Sequence, residues 1–135
     1  MAKKTVKKID WDKEREQWRA LVEELMADIA RWAEEEGWLV HRDTKVLTEE
    51  HLGEYVVPDL VIRFPGGRVY VEVGGREVLG ADGRVDIESF PNFARMILVR
   101  KRGMWKVKTD AFVDWPQPWC KETFIALAKT LASAG

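Results

Sequence analysis

The chain has 135 residues, with 22 Lys and Arg against 23 Asp and Glu, a net charge of −1 and 46% hydrophobic residues. That length carries one core without cross-links, and the balanced charge excludes a whole-molecule attraction to nucleic acid or membrane. A single cysteine, Cys120, excludes an internal disulfide framework and points to a reducing compartment, and two histidines beside it leave no structural zinc set.

In chain order, residues 1–9 carry Lys3, Lys4, Lys7 and Lys8 and read as a basic flexible tail before a single domain over 10–135. The opening Met1-Ala2-Lys3-Lys4 lacks a signal-peptide core and no apolar run reaches membrane length, so the expectation is a soluble, cytoplasmic protein. Residues 12–36 predict a helix, with Trp18, Leu21, Val22, Leu25, Ile29, Trp32 and Ala33 on one stripe. Asp10 or Asp12 caps its start and Gly37 suits the left-handed residue after its end. Glu36 falls on the apolar stripe, where a carboxylate either joins a site or reaches solvent past the last turn. Two short strands are predicted at 38–41 and 45–48, around Arg42-Asp43-Thr44, and His41 and His51 read as ordinary surface or packing histidines.

Residues 54–74 form the most informative stretch. Two β-rich runs flank Pro65-Gly66-Gly67, which supplies the dihedrals of a tight reversal. Strict alternation groups Val56, Leu60, Ile62 and Phe64 on one face and Tyr55, Val57, Asp59, Val61 and Arg63 on the other. A two-residue loop, Pro65-Gly66 or Gly66-Gly67, joins Leu60, Ile62 and Phe64 to Val69, Val71 and Val73 in one aliphatic face. Asp59 and Glu72 then share the opposite face, with Cβ atoms roughly 5–8 Å apart. Two facing carboxylates repel, so either a divalent cation or neighbouring Arg63, Arg68 or Arg76 must offset them.

Beyond the hairpin, 76–79 and 84–87 predict a second hairpin around Gly80-Ala81-Asp82-Gly83. Met96-Ile97-Leu98-Val99 suits a strand buried on both faces, and Arg102-Gly103 turns it into 104–109. Arg100, Lys101, Arg102, Lys106 and Lys108 make that hairpin the most basic place in the chain, suited to a nucleic-acid backbone or to protecting a sheet edge. Trp115-Pro116-Gln117-Pro118-Trp119 is a rigid connector whose tryptophans form a recognition surface or plug the core. The closing helix carries Cys120, Phe124, Leu127, Ala128 and Leu131 on one face.

The order helix, short strands, Pro58-Asp59 on one strand and Glu72-Val73-Gly74 on the next resembles the PD-(D/E)XK, or restriction-endonuclease-like, nuclease superfamily. The resemblance covers residues 12–74. It implies Asp59 and Glu72 as Mg²⁺ ligands, with a helix contribution from Glu36 or Glu35, and a cation that activates water for phosphodiester cleavage. Gly74 stands where the family carries a lysine, leaving Arg76 as the nearest cation on that strand, able to stabilise charge but not to act as a base.

The expected architecture is α+β: an N-terminal helix, a six- or seven-stranded mostly antiparallel sheet and a C-terminal helix. Two functions follow as expectations. One is a Mg²⁺-dependent nuclease or nuclease-like nucleic-acid-binding protein using Asp59, Glu72 and Arg76. The other is a non-catalytic interaction module, such as an immunity or accessory protein, that binds a protein partner through its tryptophan-rich surface.

Overall fold

A long amphipathic helix, a six-stranded antiparallel meander and a short closing helix make up the computed structural model, which describes residues 8–111 and 113–133. This is the α+β layout expected from the sequence. Lys3, Lys4 and Lys7 of the predicted tail lie outside the described residues. No helix among the described residues is long and apolar enough to cross a membrane.

Helix α1 (Trp11–Glu35) begins where the Asp10 carboxylate accepts the Lys13 backbone N–H at 3.1 Å. It ends in a Schellman motif. Gly37, at φ +79°, donates to Glu34 O and Trp38 donates to Ala33 O, which satisfies two carbonyls that the helix leaves unpaired. Trp18, Val22, Leu25, Met26, Ile29 and Ala33 form its buried stripe.

The strands β1 (Leu39–Glu49), β2 (Gly53–Phe64), β3 (Gly67–Gly75), β4 (Arg84–Phe90), β5 (Arg95–Lys101) and β6 (Met104–Thr109) pair in sequence order, each antiparallel to the next. Helix α2 (Lys121–Ser133) closes the chain. Both helices pack on one face of the sheet, where Leu60, Ile62, Val69, Val71, Ile87 and Leu98 are buried in a single core. The other face is left open.

Phe64 pairs with Gly67, so the central hairpin turns through Pro65-Gly66 and brings Leu60 and Ile62 beside Val71 and Val69. Four local expectations need correction. First, β1 is one continuous strand: Arg42-Asp43-Thr44 reads as a turn by composition, but an edge strand exposed on both faces accepts polar residues throughout. Second, Tyr55 and Val57 are buried while Val56 is exposed, the reverse of the predicted faces. The β2–β3 ladder reaches only to Leu60, and beyond it β1 and β2 form a two-stranded ribbon that twists freely and presents its other face to α1.

Third, residues 76–83 are not the predicted hairpin. Val78 and Ala81 share one isolated bridge, and the Glu49 carboxylate takes the N–H groups of Arg76 and Glu77, holding this segment as a loop. Fourth, a register shift between Val73 and Gly75 breaks the alternation that would have kept Arg76 on the face of Glu72.

Candidate functional site

The residues singled out in the central hairpin lie on the open face. Glu72, next to the Leu60–Val71 pair, points away from the core and is exposed, and across the next ladder it faces Asp86. On the other side Asp59 faces Asp43 of β1. Carrying the β2–β3 register one step past Leu60 sets Asp59 opposite Glu72, so four carboxylates from four strands form one transverse row. Such a row is unfavourable unless it is offset. Lys45 Nζ lies 3.3 Å from Asp59, Arg84 Nε lies 2.7 Å from Asp86 Oδ1, and His41 Nε2 lies 3.2 Å from Asp43.

Asp59 also has a backbone task. The β2–β3 ladder stops at Leu60, yet the Val73 N–H is satisfied because Asp59 Oδ1 accepts it at 3.0 Å. Both oxygens of this carboxylate are therefore engaged. Glu36, the C-terminal cap of α1, pairs instead with Lys121 at the start of α2, as does Glu35. Arg76 turns to Glu14 of α1 at 3.3 Å. Hence Asp59 and Glu72 share a face, whereas Glu36 and Arg76 sit with the helices. Among the described residues no three Asp, Glu, His or Cys side chains converge closely enough to hold a metal ion. The residues implied by the nuclease resemblance are thus divided, Asp59 and Glu72 on the open face and Glu36 and Arg76 beside the helices.

Near the start of α1 a polar network ties the loop 76–83 to the β1–β2 ribbon. Glu49 receives the Tyr55 hydroxyl as well as two backbone N–H groups, and Trp18 Nε1–H donates to the Tyr55 oxygen at 3.2 Å. Burial raises the Tyr55 pKa above its ordinary value, and the bond to and charge of Glu49 raise it further. Glu77 accepts from the backbone of His51 and Leu52 and pairs with the His51 ring, which stacks on Trp11 at 4.4 Å. Burial alone raises the Glu77 pKa, but those three donors carry it below the usual carboxylate range.

A separate concavity lies at the other edge of the sheet. A groove of about 540 Å³ runs between the β5–β6 hairpin and the connector before α2, lined by Trp105, Trp115, Trp119, Met104, Pro116 and Pro118. A second groove of about 380 Å³ shares Arg100, Trp105 and Trp119 with it and adds Trp32 of α1. Four of the seven tryptophans thus line two adjoining grooves, together a trough in which Trp105 and Trp119 are common to both. Its walls are fixed by backbone: Trp115 N–H donates to Val107 O at 2.9 Å, and Thr109 N–H donates to Val113 O. Trp119 is held by Trp32 at 5.5 Å and Phe124 at 6.0 Å, so the connector both closes the core and presents indole to the groove.

No family model, curated protein or solved structure matches this chain.

The basic hairpin frames this trough unevenly. Arg100 lies over the Trp105 ring at 5.3 Å, and Lys108 pairs with Asp114 at 2.6 Å. Bonding to Lys108, then the charges of Lys108, Lys106 and Lys101, hold the Asp114 carboxyl below its ordinary range, so the local field is positive. Sequence reasoning found these cations and the connector separately but missed that they share a wall. It also missed Lys45 beside Asp59. The signal for Lys45 was the β1–β2 register, which was hidden once β1 was read as two strands.

Proposed function

We propose that this chain is a non-catalytic interaction module that binds an extended, apolar segment of a protein partner, flanked by acidic residues, in the tryptophan-lined trough. The observation that carries this reading is that Trp105 and Trp119 line two adjoining grooves, with Trp115 in the first and Trp32 in the second. Tryptophan walls separated by proline favour an extended backbone, which pays little conformational entropy on docking. Acidic flanks follow from charge complementarity with Arg100 and Lys106 in the groove wall and with Lys101 close to Asp114.

A library of displayed dodecapeptides panned on the purified chain tests this. Enriched peptides should combine apolar or proline positions with Asp or Glu. Trp115→Ala should weaken them about tenfold, in line with loss of a buried aromatic anchor. Enrichment that ignores Trp115 would overturn the reading. Salt-dependent binding of a single-stranded oligonucleotide, lost in Lys106→Glu, would replace it with the nucleic-acid reading.

The acidic row on the open face supports a second reading, the nuclease-like one. It requires Mg²⁺-dependent DNA or RNA cleavage that Asp59→Asn abolishes without unfolding the chain.

A further inference from the structure

We infer that β1 is a self-association edge through which two copies pair antiparallel about Thr44, joining their sheets into one. The two edges of this sheet are not alike. Outside β6, residues 113–115 run back along the strand, with Lys108 bridged to Asp114 and Trp115 bonded to Val107. Outside β1, none of the described residues is paired, although the strand is 11 residues long and contains no proline. Leu39 is 72% exposed and Val46 57% exposed on this strand. An edge of that length carries a row of backbone donors and acceptors that pair readily with another strand.

The side chains select the occupant and the register. Antiparallel pairing of β1 with a second copy, centred on Thr44, places residues whose numbers sum to 88 opposite each other. Asp43 then faces Lys45 of the second copy, and by symmetry Lys45 faces its Asp43. On the other face Thr44 meets Thr44, and Val46 meets Arg42, whose guanidinium is held by Glu23 of α1 at 2.6 Å. Opposite charges and threonine pairs are favourable across strands. Neighbouring centres are worse: pairing about Asp43 sets Asp43 against Asp43 and His41 against Lys45, and pairing about Lys45 sets two lysines against each other. A two-fold edge contact of this kind is closed, so it stops at a dimer. It lies at the far side of the sheet from the trough and does not depend on what the trough binds.

Sedimentation equilibrium of the full chain should show a concentration-dependent dimer. Asp43→Lys should weaken it about tenfold, since two attractive pairs become repulsive. The swap Asp43→Lys with Lys45→Asp should recover the association. Because Lys45 also pairs with Asp59, a cross-link checks the register independently. In a Cys120→Ser background, Thr44→Cys brings two Cα atoms to about 5 Å and should oxidise to a covalent dimer. Val40→Cys places its two thiols roughly 27 Å apart and should not. A chain that remains monomeric up to about 1 mM, or a dimer indifferent to Asp43→Lys, overturns the proposal. So does cross-linking at Val40 as fast as at Thr44.

Discussion

Asp59 shows how one carboxylate can look like chemistry and act as architecture. Its position after Pro58 is the feature that resembles a nuclease motif, yet the β2–β3 ladder ends at Leu60–Val71 and leaves the Val73 N–H to be taken by the Asp59 side chain. Asp59→Ala strips that N–H of its partner on a half-buried strand and should cost about 2 kcal/mol in urea unfolding. Asp59→Asn keeps a side-chain oxygen for Val73 while losing the attraction of Lys45, and should cost well under half as much. Equal losses for the two variants would mean that the backbone bond is not what Asp59 supplies. The pair also separates structure from catalysis, because the carboxylate charge is lost equally in both.

At the scale of elements, the close approach of α1 to the loop before β4 decides where the helix sits. Gly83 has φ +150°, and a Cβ there would lie 2.2 Å from Trp18 Cζ3, far inside contact distance. Trp18 is 1% exposed and hydrogen-bonded to Tyr55, so it cannot swing away at low cost. Gly83→Ala should therefore destabilise by about 3 kcal/mol through overpacking and backbone strain, read from the denaturant midpoint. Gly80→Ala, in the same loop, meets no neighbour within contact distance and carries only the strain of its φ of +75°. Its loss should be near 1 kcal/mol. The helix itself was legible in the sequence: its stripe, its Asp10 cap and its Gly37 end all follow from local chemistry. The loop was not, because Arg76-Glu77-Val78-Leu79 has strand composition and only the distant Glu49 carboxylate draws its backbone out of the sheet.

For the whole molecule, stability should fall at both ends of the pH range, for reasons located in one network. The Tyr55 pKa is raised by folding, so its contribution is fully present below the unfolded value of about 10 and is lost as pH rises through the folded value. Glu77 has the opposite sign: its pKa is lowered, so its contribution is present above the unfolded carboxylate value and is lost as pH falls through the folded one. Urea midpoints measured from about pH 2 to about pH 11 should show both limbs. Tyr55→Phe should flatten the alkaline limb and lower the plateau by about 1.5 kcal/mol, because Trp18 and Glu49 each lose a partner. An alkaline limb unchanged in that variant would place its origin elsewhere. What the sequence determined by itself was whatever depends on short-range pattern: α1, a two-residue turn within Pro65-Gly66-Gly67, the aliphatic face of the central hairpin, the Arg102-Gly103 turn and the α+β class. Periodicity and turn chemistry act over a few residues and survive in a linear reading. Only the tertiary structure decided which face the β1–β2 ribbon shows to α1, where Arg76 and Glu36 point, and that tryptophans from positions 32 to 119 share one trough. Those outcomes depend on twist, a bulge and packing between segments far apart in the chain, and no local pattern encodes them.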